Sequence, residues 1–120
     1  MSNIVLVLIG GGLGSVVRYL CSLAAGQALG DGWGTILVNL FGCLLIGFIV
    51  GCVDRALLSR TFRVFFVTGF LGGFTTFSSF SLESINLLRD SPTRGLANIL
   101  INVVGGLTLT AIGLWGADRI

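Results

Sequence analysis

Apolar residues fall into four long blocks along this chain, 4–25, 33–53, 64–88 and 96–115. The stretches between them, 26–32, 54–63 and 89–95, are short and polar or glycine-rich. Crossing a hydrocarbon core of about 30 Å takes roughly 20 helical residues, so each block is long enough to span a bilayer. In lipid every backbone N–H and C=O needs a partner within the protein, which leaves helices and closed barrels as the spanning structures. A barrel strand alternates apolar and polar side chains, and these blocks do not alternate. The pattern predicts an all-α integral membrane protein, a single four-helix transmembrane domain over residues 1–120. Ser91-Pro92 supplies a turn in the last connection. With four spans, both termini lie on one side of the membrane.

Composition supports lipid as the solvent. Mean hydropathy is +1.03, and 10% of the residues are charged, against about 25% in soluble domains. A chain of 120 residues has too little interior to bury so much apolar surface in water. The net charge of +2 rests on arginines alone and forms no basic patch suited to nucleic acid. Cys21, Cys43 and Cys52 lie within apolar blocks at spacings that match no zinc or redox motif. They read as small side chains that suit a membrane. Met1-Ser2-Asn3 lacks the basic start of a cleavable signal, so the first block is expected to be retained as a span. With no histidine and no acid–base pair or nucleophile arrangement, the sequence offers nothing for an enzyme active site.

Arginines near the span ends divide four against two or three. Arg55, Arg60, Arg63 and Arg119 lie on the side of the termini, Arg89 and Arg94 on the other, and Arg18 leans toward the latter. The positive-inside rule orients a chain only through a clear bias. Insertion in both orientations is therefore an open reading. Polar side chains within spans are costly and mark function by default. Arg18, Asn39, Glu83 and Asn102 all fall in the half of the bilayer away from the termini. An inverted second copy would place a matching polar set in the other half.

The third span is the most specific segment, Thr68-Gly69-Phe70-Leu71-Gly72-Gly73-Phe74-Thr75-Thr76-Phe77-Ser78-Ser79-Phe80-Ser81. Gly72-Gly73 weakens the helix, and Thr75-Thr76 can satisfy the groups a break would free. That break is expected near the midplane, at about residue 76. Unwound carbonyls at this depth can coordinate a small cation. A packing kink without a ligand fits the spacing equally well. Beyond the break, Phe77 and Phe80 share one helix face, and Ser79 and Glu83 share another. Ring edges are electropositive and can meet an anion without carrying a full charge. Hydroxyls and amides can replace its hydration. A carboxylate such as Glu83 sits poorly in that path unless a proton or a cation partners it. Glycines spaced four apart, Gly10 and Gly14, and Gly47 and Gly51, predict close helix contacts.

Three segments resemble motifs of the Fluc (CrcB) family of small fluoride channels. They are residues 10–19, a glycine-rich run ending in Arg18-Tyr19; residues 34–42, around Asn39; and residues 69–81. The resemblance covers nearly the whole chain. It implies a fluoride-selective channel that exports cytoplasmic fluoride passively, from a multi-pass position in a bacterial inner or plasma membrane. It implies a dual-topology antiparallel homodimer with two pores, and a structural sodium ion at the dimer centre held by backbone carbonyls at Gly72 and Thr75. The paired pore phenylalanines match Phe77 and Phe80, and the pore asparagine matches Asn39. The polar track matches Thr35, Ser78, Ser79, Glu83 and Thr110, and Arg18 matches an arginine that attracts anions at the vestibule. Asn98 stands where some relatives carry tyrosine, and Gly106 where some carry serine, so the fourth-span part of the track departs from the family. Two other readings fit four short spans. A proton-coupled multidrug exporter needs an acid deep in the first span, where this chain has Arg18. A non-transporting membrane subunit needs only the glycine packing.

Overall fold

The computed structural model describes residues 2–120. Its secondary structure is helical throughout, and four helical stretches are long and apolar enough to cross a membrane. The first is α1 (Asn3–Leu29) and the second α2 (Trp33–Asp54). The third runs over Arg60–Asp90 in two pieces, α3 (residues 60–74) and α4 (Phe77–Asp90). The fourth is α5 (Pro92–Ala117).

The helices outrun the apolar blocks, and the connections shrink accordingly. α1 continues through Gly26 to Leu29, leaving residues 30–32 as its link to α2. Between α4 and α5 only Ser91 is non-helical. A helix end in the polar interface keeps its hydrogen bonds as cheaply as a loop, so polarity alone marks the membrane boundary and not the helix boundary. Pro92 begins α5 at a position where its missing N–H costs nothing. The hairpin closes tightly because Gly95 has no side chain: a β-carbon there would meet Leu88.

Glycine pairs bring the helices together. A β-carbon on Gly14 would strike the Phe70 carbonyl, and one on Gly10 the Phe65 carbonyl, so α1 lies directly on α3. Gly47 and Gly51 meet Thr110 and Ala117, which seats α2 along α5 in an interface as extensive as that of α1 with α3. Close backbone approach of this kind is what holds helices together in lipid, where burial of apolar surface gives no drive. A core of Val38, Leu71 and Phe74 fills the space between α2 and α3. Phe62, Phe66, Phe70 and Phe74 stack in succession along α3.

The third span is broken as the sequence suggests, with a refinement. Gly72-Gly73 is itself helical, and the two extended residues are Thr75 (φ −85°, ψ 156°) and Thr76 (φ −149°, ψ 121°). Gly73 serves another purpose: a β-carbon there would collide with the Gly11 carbonyl. Residues Val64–Leu71, leading to the break, wind as a wider π-helix. The break lets the span change neighbours. α3 lies on α1, whereas α4 packs against the first turns of α5.

Candidate functional site

The two extended threonines interrupt the helical bonding at mid-span, and side chains partner part of what the break frees. The Thr76 N–H would bond the Gly72 carbonyl in an unbroken helix. It donates instead to Asn39 Oδ1 at 2.8 Å. Asn39 Nδ2 in turn donates to the Thr76 carbonyl at 3.1 Å. One α2 side chain thus clasps both polar groups of an extended residue. Thr76 Oγ1 accepts from the Ser79 N–H at 3.3 Å, capping α4. The same oxygen lies 3.2 Å from Ser79 Oγ and 3.4 Å from Ser78 Oγ.

These exchanges free the Gly72 carbonyl of the donor it would have in a helix, and likewise that of Thr75, whose helical donor is the Ser79 N–H. Both residues line a cleft of about 330 Å³. Uncharged carbonyl oxygens at a helix C-terminus are hard donors that suit a small hard cation, and they carry the negative end of the α3 dipole. A sodium ion fits this donor set. Asn39, Thr76, Phe77, Phe80 and Asn102 line the same cleft. On its far side the N-terminus of α4 brings the opposite, positive end of a dipole to the same depth.

Polar side chains continue from the cleft along α2 and α4. Thr35, one turn before Asn39, is buried and donates to Glu83 Oε1 at 2.7 Å. Glu83 Oε2 is buried without a hydrogen-bond partner. Thr35 and Asn39 on α2 therefore face Ser79 and Glu83 on α4. Phe77 and Phe80 stand beside this line with ring centroids 5.5 Å apart and planes inclined at 61°, edge toward face. They differ in exposure: Phe80 is 8% accessible, Phe77 79%. Phe77 projects at the mouth of the cleft, largely uncovered by the described residues.

Two other candidate residues lie apart from this cluster. Thr110 donates to the Cys43 carbonyl at 3.1 Å, within the α2–α5 seam. Arg18 is half-buried on α1 and makes no hydrogen bond or ion pair among the described residues. Gly106 packs near Cys43 Sγ.

The site also includes Asn102, named above only as a polar residue within a span, and Asn98 and Ser84, which the sequence did not place in it. Asn102 Oδ1 accepts from Asn39 Nδ2 at 3.0 Å. Asn102 Nδ2 donates to the Asn98 carbonyl at 3.0 Å. Asn98 is 3% accessible and donates to Ser84 Oγ at 2.9 Å, and Ser84 donates to the Phe80 carbonyl at 2.7 Å. Asn98 and Asn102 are one turn apart on α5, and that spacing of two amides inside a span was the available signal.

Residues 5–114 match the family model described as CrcB-like protein, Camphor Resistance (CrcB). The chain is similar to several curated proteins, each named a fluoride-specific ion channel FluC. That of Rhizobium meliloti is 47% identical over 93% of this chain and 91% of its own length. That of Opitutus terrae is 43% identical, over 96% and 89% respectively. That of Clostridium perfringens is 42% identical over 94% of both chains.

Proposed function

The chain belongs to the CrcB family, and from that premise we propose that it is a fluoride-selective channel. Cytoplasmic fluoride leaves passively down its electrochemical gradient, which protects the cell from fluoride toxicity. The observation that carries this reading is the line of hydroxyl and amide side chains from Thr35 through Ser79 and Asn39, set beside the Phe77–Phe80 ring pair at a helix break. Fluoride is small and strongly hydrated, so a path for it must supply closely spaced donors in place of water. Hydroxyls, an amide and ring edges do so without a full positive charge, which keeps binding weak enough for release. Larger halides match closely spaced donors poorly. Arg18 adds positive potential that draws anions toward the path.

The working unit is an antiparallel homodimer of oppositely inserted copies in the lipid bilayer. Support comes from Phe77, a large ring left 79% exposed beside a polar cleft at mid-span. One protomer lines one wall of this cleft, and a two-fold axis in the membrane plane would bring the inverted copy against it. Gly72 and Thr75 of both copies would then meet at the centre, where their carbonyls would hold a sodium ion. The ion supplies positive charge that balances the α3 C-termini. The residues of this chain supply the rest: Asn39 fixes the break, and the α4 donors pass the anion along.

Liposomes containing only this purified chain are expected to release fluoride rapidly while retaining chloride. Release of neither ion, or of both alike, would refute the reading. Replacing sodium with a bulky organic cation on both sides is expected to weaken the dimer or stop the flux. Dimers that persist and conduct normally without sodium would remove the central ion from the scheme.

A further inference from the structure

An amide nitrogen carries two protons, and both protons of Asn39 are taken within the protomer: one by the Thr76 carbonyl, the other by Asn102 Oδ1 at 3.0 Å. The orientation is fixed, because Asn39 must turn its oxygen to the Thr76 N–H. Asn102 is fixed as well. Its own nitrogen is held by the Asn98 carbonyl at 3.0 Å and lies 3.4 Å from Asn98 Oδ1, and Asn98 is anchored to Ser84. An anion reaching Asn39 therefore finds no free donor there.

We propose that Asn102 is a specificity-determining residue that acts as a built-in competitor: an anion gains the Asn39 proton only by displacing the Asn102 side-chain oxygen. The inference rests on the fluoride reading above. Displacement favours an anion that accepts a hydrogen bond more strongly than a neutral amide oxygen does. A compact ion with concentrated charge meets that condition best. Fluoride concentrates its charge more than chloride, so the exchange passes fluoride and resists chloride. Both amides border the cleft, which gives the displaced oxygen somewhere to turn. Asn98 ties Asn102 to its neighbours and returns it to Asn39 after the anion has passed.

The test compares initial rates of fluoride release across fluoride concentrations in liposomes holding wild type, Asn102→Leu and Asn102→Thr. Leucine removes the competing oxygen and leaves the Asn39 proton free. Its half-saturating fluoride concentration is expected to fall about fivefold, the worth of one neutral hydrogen bond, and its chloride permeation relative to fluoride to rise. Threonine keeps an oxygen acceptor on a shorter side chain and is expected to lower the half-saturating concentration less than leucine does. If Asn102→Leu does not assemble, Asn102→Ala gives the same reading. Unchanged or raised half-saturation in the acceptor-free variant, or an equal shift in Asn102→Thr, overturns the inference while fluoride conduction stands. No fluoride release from wild type overturns both.

Discussion

Phe80→Ile is expected to cut fluoride efflux from liposomes roughly a hundredfold, equivalent to about 2.7 kcal/mol on the barrier, while the purified protein keeps its assembly state. Isoleucine occupies similar apolar space but presents no electropositive ring edge. Phe80 is 8% accessible and packs edge-to-face with Phe77. The substitution therefore removes two ring contacts at once: the one proposed with the anion, and the one that orients Phe77. The Phe80 backbone carbonyl still accepts from Ser84, so the α4–α5 hairpin has no reason to open. Efflux within a few-fold of wild type would take Phe80 out of the conduction path.

Asn39→Leu has the second large effect, and it reaches folding as well as conduction. Leucine matches the size of the amide but cannot bond the Thr76 N–H or carbonyl. A buried polar group left alone costs about 1–3 kcal/mol. The Thr76 N–H is such a group, whereas the Asn102 oxygen can turn into the cleft. Thermal unfolding in detergent should show a markedly lower midpoint, and fluoride release should be abolished in whatever protein remains assembled. Asn39→Asp keeps the acceptor for the Thr76 N–H and should recover part of the stability without the conduction. A midpoint for Asn39→Leu equal to wild type would mean that the break holds itself without α2.

Much of this architecture is legible in the chain before any coordinates are consulted. The four apolar blocks fix the number of spans because bilayer thickness fixes the length of each. The third-span break is signalled by polar and glycine residues in the middle of an apolar run, although only Thr75 and Thr76 leave the helix. The paired glycines of α1 and α2 mark close packing, though not its partners. Which helix faces which is set by tertiary geometry. Asn39 meets Thr76 across 37 positions and Asn102 across 63, and no local pattern encodes such distances. Thr110 illustrates the same limit. The resemblance makes it a pathway candidate, but no local pattern tells that its proton goes to the Cys43 carbonyl, 67 positions away. Asn98 and Ser84 were invisible as a pair because each, taken alone, reads as one polar residue among apolar neighbours. The short connections were hidden for a simpler reason. Gly26 and Arg89 suggest loops by residue type, whereas the helices persist through both.

The order of contacts bears on how the chain is made. α1 rests on α3, and α2 rests chiefly on α5, so the partnerships interleave along the sequence. As the ribosome delivers the spans, α1 can dock as soon as α3 enters the membrane. α2 must wait for the last segment to be synthesised before Gly47 and Gly51 find Thr110 and Ala117. Until then its glycine groove stays open to lipid, and a nascent chain stalled before α5 is the species that quality-control proteases should recognise.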